Sequence, residues 1–511
     1  MPHPASATAG DAVRIVHPIH DRRALRGRIL HLGFGAFARA FLSTILDETL
    51  DAMAADGRPD RGPDGGPDWG PDWGMIAVRL NSGVEELDAL ESADLHHWVV
   101  AADDSGMTAR RVEALAGTCH PLRDGSEALF ARFTAPELAI VTLTITEKGY
   151  CSRGGRLDTE HEGIRRDLAA PNTPQTAVGV LVEGLARRRQ AGLGGLTLLS
   201  CDNLPENGAV CRAVVEDFAA RRDPALAEWI AANVTFPCTM VDRIVPALDE
   251  DGRALLAELG LGDAPGIVCE PFRQWVIEDD FAAGRPPFEL AGAEFVADVR
   301  PFEEMKLRML NGSHSFLAYL GALAGRRTIS DCMADPLLAG AARGLMLAEQ
   351  APTLSMPQGV DLAAYAEALL ARFANSRLKH RTTQIATDGS QKLPQRLLAP
   401  IRHHLEAGTP WPRLALGVAG WLAYCRGVAQ DGTPLPLNDP LAERIRAISQ
   451  AAGDERAYLR EMLALREVFA AELAGRADFA GAIEAAYLEL REHGVEAALA
   501  RLAETPRESE R

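Results

Sequence analysis

The segment Lys306-Leu-Arg308-Met-Leu-Asn311-Gly-Ser313-His314 places a lysine, an amide and an imidazole close together in one stretch of chain. At ~100° per helical residue, Asn311 lies roughly 140° and His314 roughly 80° round from Lys306, so all three fit one broad helix face. Such a face can converge on a single small molecule. Burial brings a lysine down from its ordinary pKa of about 10.4 towards neutrality, which suits it to take a proton from a secondary alcohol as hydride leaves. The same spacing also suits a solvated lysine beside a histidine that packs between helices.

A second constellation lies near the start of the chain. The run Gly33-Phe34-Gly35-Ala36-Phe37-Ala38 follows an apolar segment, Arg28 to Leu32, and precedes a helical pattern, Arg39 to Leu50. Glycines where a strand turns into a helix fit a dinucleotide pyrophosphate. Gly33 allows the tight turn, Gly35 lets backbone approach the phosphates, Ala38 fills the close helix–sheet contact, and the helix N-terminus offers free N–H groups. By itself the turn serves equally well as structure, as a site for the adenosyl group of a methyl donor, or as a nicotinamide-nucleotide loop. The acidic residue expected after the second strand is missing, because Arg79-Leu80-Asn81-Ser82-Gly83 precedes the first carboxylate at Glu85. Three more polar residues follow apolar strands or lie near one: Glu147 in TITEKGY, Asn203 in SCDN, and Asp242 in FPCTMVDR. Residues just past the C-terminal ends of parallel strands face the ligand crevice of open α/β sheets.

The elements that position these residues change character once. Up to about residue 300, short β-rich runs (Arg28 to Leu32, Met75 to Leu80, Leu138 to Ile145, Leu196 to Ser200, Ile267 to Cys269) alternate with helical patterns, as in parallel α/β folds. Beyond Glu303 the chain reads as helix, with Ala-, Leu- and Arg-rich segments at Asp335 to Gln350, Asp361 to Phe373, Pro412 to Ala429 and Glu455 to Ala474. The expected fold class is α/β followed by all-α: a Rossmann-type dinucleotide-binding domain over 1–295 and an all-helical substrate and catalytic domain over 296–511. Residues 57–74, where proline recurs every fourth residue before aspartate, read as a low-complexity surface loop that includes Trp69 and Trp73. The tails, 1–11 and 505–511, read as frayed.

Composition excludes several classes. With 71 Asp+Glu against 53 Lys+Arg, the formal net charge is −18, which argues against a general nucleic-acid binder. No stretch approaches the ~18 apolar residues of a membrane span, and the first residues lack a signal-peptide pattern, so the expected compartment is the cytoplasm. The eight cysteines are scattered, with no CxxC pair, so the expectation is buried reduced thiols and no metal.

Taken together, the motifs TLTITEKGY (142–150), LSCDNLPENG (199–208), FPCTMVDRIVPA (236–247), CEPFRQWVIED (269–279), KLRMLNGSHSFLAYLG (306–321) and DGSQKLPQRLL (388–398) resemble those of the polyol-specific long-chain dehydrogenases, the mannitol dehydrogenase family. The likeness runs from the Gly33 loop to about Gly494. It implies a zinc-independent, NAD-linked oxidoreductase, monomeric or weakly oligomeric, with its active site between a Rossmann-type and a helical domain. By position, Lys306 resembles the general acid/base, and Asn311 and His314 the partners of the substrate oxygen. Gly33, Phe34, Gly35, Ala36, Phe37, Glu147 and Asn203 resemble the cofactor side of the cleft, and Asn203, Asp242 and Lys392 the substrate side. Two departures stand out. Most relatives carry a His-Arg-Ala-His run where this chain reads Ala38-Arg39-Ala40-Phe41, and mannitol-type members tend to have arginine where Gln384 stands. Lys148, Arg273 and Arg308 are basic where a mannitol-type site is expected to be uncharged. A guanidinium fork pairs well with a carboxylate, which points to a hexuronate and to interconversion of D-fructuronate and D-mannonate. The alternatives within the family are mannitol- or arabinitol-type 2-dehydrogenase activity and tagaturonate reduction. Outside it stand a non-catalytic dinucleotide sensor, against which the intact Lys306, Asn311 and His314 argue, and a methyltransferase, against which the lysine-based site argues.

Overall fold

Five short runs, apolar along most of their length, form the centre of the first of two compact units, Met1–Arg300 and Pro301–Arg511. The computed structural model describes residues 13–56, 70–262, 264–377 and 379–504. The five strands are β1 (Arg26–Leu32), β2 (Trp73–Val78), β3 (Leu115–Cys119), β4 (Ile140–Leu143) and β5 (Thr197–Ser200). All are parallel, in the order β3-β2-β1-β4-β5. That order is the Rossmann order. A lone parallel bridge between Thr197 and Thr235 stands beside β5, where a sixth strand would begin.

Both faces of this sheet are covered, so every residue of β2, β4 and β5 is buried and the strands read as nearly continuous apolar runs. The period of two still sorts the side chains. Leu30, Leu32, Ile76, Val78, Val141, Leu143 and Leu198 join Phe130, Phe133, Leu185 and Phe218 in one core. Ile29, Met75, Ala77, Ile140 and Leu199 join Phe41, Ile45 and Trp275 in another.

Three expectations change here. Ile267–Cys269 does not enter the Rossmann sheet. It belongs to the strand Gly266–Cys269, which edges a separate mixed sheet with Val13–Val16, Gly106–Val112 and His97–Asp103. The helix expected over Arg39 to Leu50 is two helices, α1 (Ala36–Ala40) and α2 (Leu42–Asp56), parted at Phe41. Trp73 is not in a surface loop: it opens β2, is fully buried, and lies under the Arg28 guanidinium at 3.8 Å. Residues 57–69, with Trp69, lie outside the described residues, as do both tails.

The second unit is helical, and three of its helices contain a widened π turn, at Lys306–Gly312, Leu345–Gln350 and Pro394–Leu398. Pro394 has no N–H to give, so the regular ladder cannot pass through it unchanged. The stretch Glu455 to Ala474 is broken into Glu455–Leu463 and Ala471–Ala474. Among the described residues no helix is long and apolar enough to cross a membrane.

Because Trp73 fills the edge of the core at the start of β2, Trp73→Ala is expected to cost about 3–5 kcal/mol. The check is a lower urea midpoint for the transition that reports on the first unit.

Candidate active site

In the first unit the C-terminal ends of β1, β4 and β5 stand side by side, because these strands are parallel neighbours. The Gly33 loop leaves β1 there. Gly33 has φ +93°, and a Cβ on it would lie 2.2 Å from the Thr144 carbonyl oxygen, so only glycine fits. Thr144 Oγ1 donates to the Gly33 carbonyl at 2.9 Å and ties the loop to the end of β4. A Cβ on Gly35 would meet only the Gly33 oxygen, at 3.7 Å. The fold therefore does not require glycine at 35, whereas a ligand that must approach the backbone does. The first turn of α1 carries no side-chain cap, so its N–H groups suit a pyrophosphate. Ala36 and Phe37 belong to that turn, and Phe37 stacks on Phe41 with ring centroids 4.9 Å apart. Phe34 differs from expectation. Its side chain is buried in the core and its N–H is held by the Val78 carbonyl, so it supports the loop from beneath.

Glu147 and Lys148 lie exposed on the short turn Thr146–Gly149 after β4, and Asn203 is exposed after β5. What holds these two turns together is Asp202, which sequence reasoning passed over. Its carboxylate accepts from the Ile145 N–H (3.1 Å), the Thr146 N–H (2.8 Å) and the Tyr150 hydroxyl (2.7 Å). Thr146 sits at φ +63°, a conformation that costs a non-glycine residue energy and that these bonds pin. Burial nevertheless raises the Asp202 pKa above the usual carboxylate range. Asp242 is buried at the end of the strand Thr239–Asp242. Its neighbour Arg243 donates to the Ala40 carbonyl at 2.5 Å and so anchors the end of α1.

Arg79 follows β2, where a Rossmann fold reads the adenine ribose. It pairs with Glu86 at 3.3 Å and donates to the Ser82 carbonyl at 3.1 Å. Phe41 is core. Arg273 pairs with Glu48 and donates to the Ala291 carbonyl at 3.0 Å, so its charge is matched within the unit.

In the second unit the π turn Lys306–Gly312 changes the geometry expected of a regular helix. A π turn closes its hydrogen bond over five residues, which brings Lys306 and Asn311 onto one edge instead of far round the barrel of the helix. Lys306 is 8% exposed and His314 9%. Among the described residues Asn311 Nδ2 and His314 Nε2 are buried without a hydrogen-bond partner. Unpaired buried groups are costly, and a ligand oxygen would satisfy both. His314 stacks on Phe373, with centroids 4.8 Å apart, and lies 5.1 Å from the His380 ring. Burial, reinforced by His380, Arg396, Arg372 and Lys392, holds the His314 pKa well below the usual imidazole range, so the ring is neutral near pH 7.

Lys392 donates to the Ile385 carbonyl at 3.3 Å and contacts Thr387 Oγ1 at 3.5 Å. Burial, and next the charge of Arg396, pushes its pKa down to about 8, while Asp388 and Asp439 pull the other way. Arg308 is turned to structure. It donates to the Thr353 carbonyl and hydroxyl and pairs with Glu304 at 3.1 Å. Among the described residues no group of three or more His, Cys, Asp or Glu could hold a metal ion.

Comparison with known proteins places both units. The mannitol dehydrogenase Rossmann domain matches residues 27–290, and the mannitol dehydrogenase C-terminal domain matches 298–491. D-mannonate oxidoreductase of Escherichia coli (strain K12) is 46% identical over 494 residues, covering 96% of this chain and 98% of that protein. The solved Pseudomonas fluorescens mannitol 2-dehydrogenase, a ternary complex with NAD and D-mannitol, is 35% identical with a TM-score of 0.80, over 96% of this chain and 97% of that one. A substrate-free D-sorbitol dehydrogenase is 31% identical with a TM-score of 0.85, over 95% and 97%.

The two glycines of the loop separate fold from ligand binding. Gly33→Ala is expected to lower the melting temperature markedly, whereas Gly35→Ala is expected to change stability by no more than about 0.5 kcal/mol. Gly35→Ala should still weaken NADH binding severalfold, read by quenching of protein fluorescence. At the ribose end, Glu86→Gln is expected to raise the NADPH-to-NADH ratio of kcat/KM by freeing Arg79 to meet a 2′-phosphate.

Proposed function

The chain belongs to the mannitol dehydrogenase family and is an NAD-dependent oxidoreductase acting on a CH–OH group of a polyol or sugar acid, and on that premise we propose that it interconverts D-fructuronate and D-mannonate. The observation that carries the sugar-acid reading is the charge around His314. The neighbours that bear most strongly on its ring are basic: His380, Arg396, Arg372 and Lys392. Positive charge gathered in a partly buried place is expensive, and a carboxylate arriving with the substrate offsets that cost. The 46% identity to a D-mannonate oxidoreductase, against 35% to the solved mannitol 2-dehydrogenase, supports the same choice. The second reading is a neutral-polyol 2-dehydrogenase or a tagaturonate reductase. The solved relatives favour the polyol, since the names of both carry polyols, D-mannitol and D-sorbitol.

When bound, the nicotinamide supplies the hydride for reduction and takes it up in oxidation. Lys306 gives a proton to the substrate oxygen during reduction and removes it during oxidation. Asn311 Nδ2 and the neutral His314 ring donate hydrogen bonds to that oxygen, polarising the carbonyl and stabilising developing negative charge. A neutral imidazole suits this task, since it leaves the proton transfer to Lys306. Gly35 and the first turn of α1 cradle the pyrophosphate, and Glu147 and Asn203 line the cofactor side, with Asn203 and Asp242 towards the substrate.

The deciding experiment is a panel of fructuronate, tagaturonate, fructose and xylulose with NADH, followed by loss of reduced-nicotinamide absorbance. Fructuronate is expected to have the highest kcat/KM, and equal turnover of fructose would replace this reading with the polyol one. Lys306→Ala is expected to abolish turnover while NADH still binds. Retention of activity within about tenfold would refute the lysine's role. Asn311→Ala and His314→Ala should slow the reaction less severely. As pH rises through about 8, Lys392 loses its charge and its attraction for an anion. The KM for fructuronate should therefore climb above that pH, and in Lys392→Met it should be high throughout with the climb removed.

A further inference from the structure

Several basic residues in the chain's signature motifs are possible partners for a substrate carboxylate, but their surroundings differ. Arg273 is matched by Glu48 and Arg308 by Glu304, and Lys148 lies exposed on a surface turn. Arg396, on the π turn Pro394–Leu398, is partly buried and forms no ion pair among the described residues. Its guanidinium donates through Nη1 to two uncharged oxygens, Ser315 Oγ at 3.1 Å and the Asn311 carbonyl at 3.4 Å. Those bonds fix it against the residue whose Nδ2 stands unpartnered. Lys392, one helical turn earlier, has no ion pair within 4 Å among the described residues, although Asp388 and Asp439 act on it at longer range, and both cations bear electrostatically on His314. The guanidinium thus touches the Asn311 backbone, and the ammonium acts on the same histidine.

We propose that Arg396 receives the carboxylate of the sugar acid and thereby decides between an acid and a neutral sugar, with Lys392 as the second cation of the seat. The chemistry of the substrate fits this placement. In fructuronate the carboxylate is at the end of the carbon chain remote from the carbonyl, so its seat must neighbour the groups on the reacting oxygen without overlapping them. Arg396 meets that demand because it touches Asn311 through the backbone carbonyl and leaves the side-chain amide free. Its held fork presents paired N–H donors to a carboxylate, which an ammonium in the same place does not.

This proposal rests on the sugar-acid reading, and the test separates the two. Arg396→Met and Arg396→Lys are assayed with fructuronate and fructose as saturation curves, beside wild type, with melting temperature and NADH binding measured on each. In Arg396→Met the fructuronate-to-fructose ratio of kcat/KM is expected to fall about ten- to a hundredfold, chiefly through the KM for fructuronate. Arg396→Lys keeps the charge but not the fork and should recover part of that ratio. A folded Arg396→Met that kept the wild-type ratio would make Arg396 structural and leave the proposed function standing. Wild type that reduced fructose as efficiently as fructuronate would overturn both. If Arg396→Met fails to fold, Arg396→Lys decides: an unchanged ratio and an unchanged KM for fructuronate reject the seat.

Discussion

At Gly312 three helices meet with no room for a side chain. A Cβ there would lie 2.6 Å from Gln350 Nε2 and 2.8 Å from the Arg396 carbonyl oxygen, and those two residues belong to the other two π turns of the second unit. The close approach that glycine permits brings the three π turns together. Ser313 bonds Gln350 at 2.9 Å, Arg396 bonds the Asn311 carbonyl and Ser315, and Lys306 and Asn311 share the edge of the widened turn. A π turn gives up regular helical bonding, and here it re-aims side chains that a regular helix would spread around its circumference.

The first unit solves a similar problem with a carboxylate. Parallel order brings the ends of β1, β4 and β5 together, but loops at strand ends need fastening. Asp202 fastens them by accepting from two backbone N–H groups of the turn after β4 and from Tyr150. Asn207 continues the chain of bonds, donating to the Asp202 carbonyl at 3.1 Å and to the Thr239 carbonyl at 2.9 Å. The turns that carry Glu147 and Asn203 are therefore positioned by a buried polar network whose members are satisfied by one another, which makes such a network rigid.

Charge is handled differently in the two places. Around α2, Arg110 is matched by Asp47 at 2.6 Å and by Asp51 at 2.5 Å, with His20 on Asp51 at 2.8 Å. Glu349 in the second unit is likewise matched, by Arg413 and two backbone N–H groups. These are structural pairs, complete within the protein. Among the described residues Arg396 has no acid within ion-pair distance and Lys392 feels Asp388 and Asp439 only at longer range, and the difference suits them to an anion from outside.

The Rossmann strands were largely legible from sequence because a sheet covered on both faces writes itself as short apolar runs, as in Arg26–Leu32 and Ile140–Leu143. Leu115–Cys119 carries too little pattern to be read, and Ile267–Cys269 reads as a strand without saying which sheet it joins, since pairing is a property of partners far away in the chain. The Lys306, Asn311 and His314 triad was visible as residue types at close spacing, and Gly33 as a glycine after a strand. The π turn over Lys306–Gly312 was not visible, because the close packing at Gly312 involves Gln350 and Arg396, residues far off in the chain. Nor could sequence tell Arg273 and Arg308, whose charges are spent on Glu48 and Glu304, from Arg396, whose charge is not. Every arginine carries the same charge in a sequence; only the tertiary structure decides which of them finds an acid within reach.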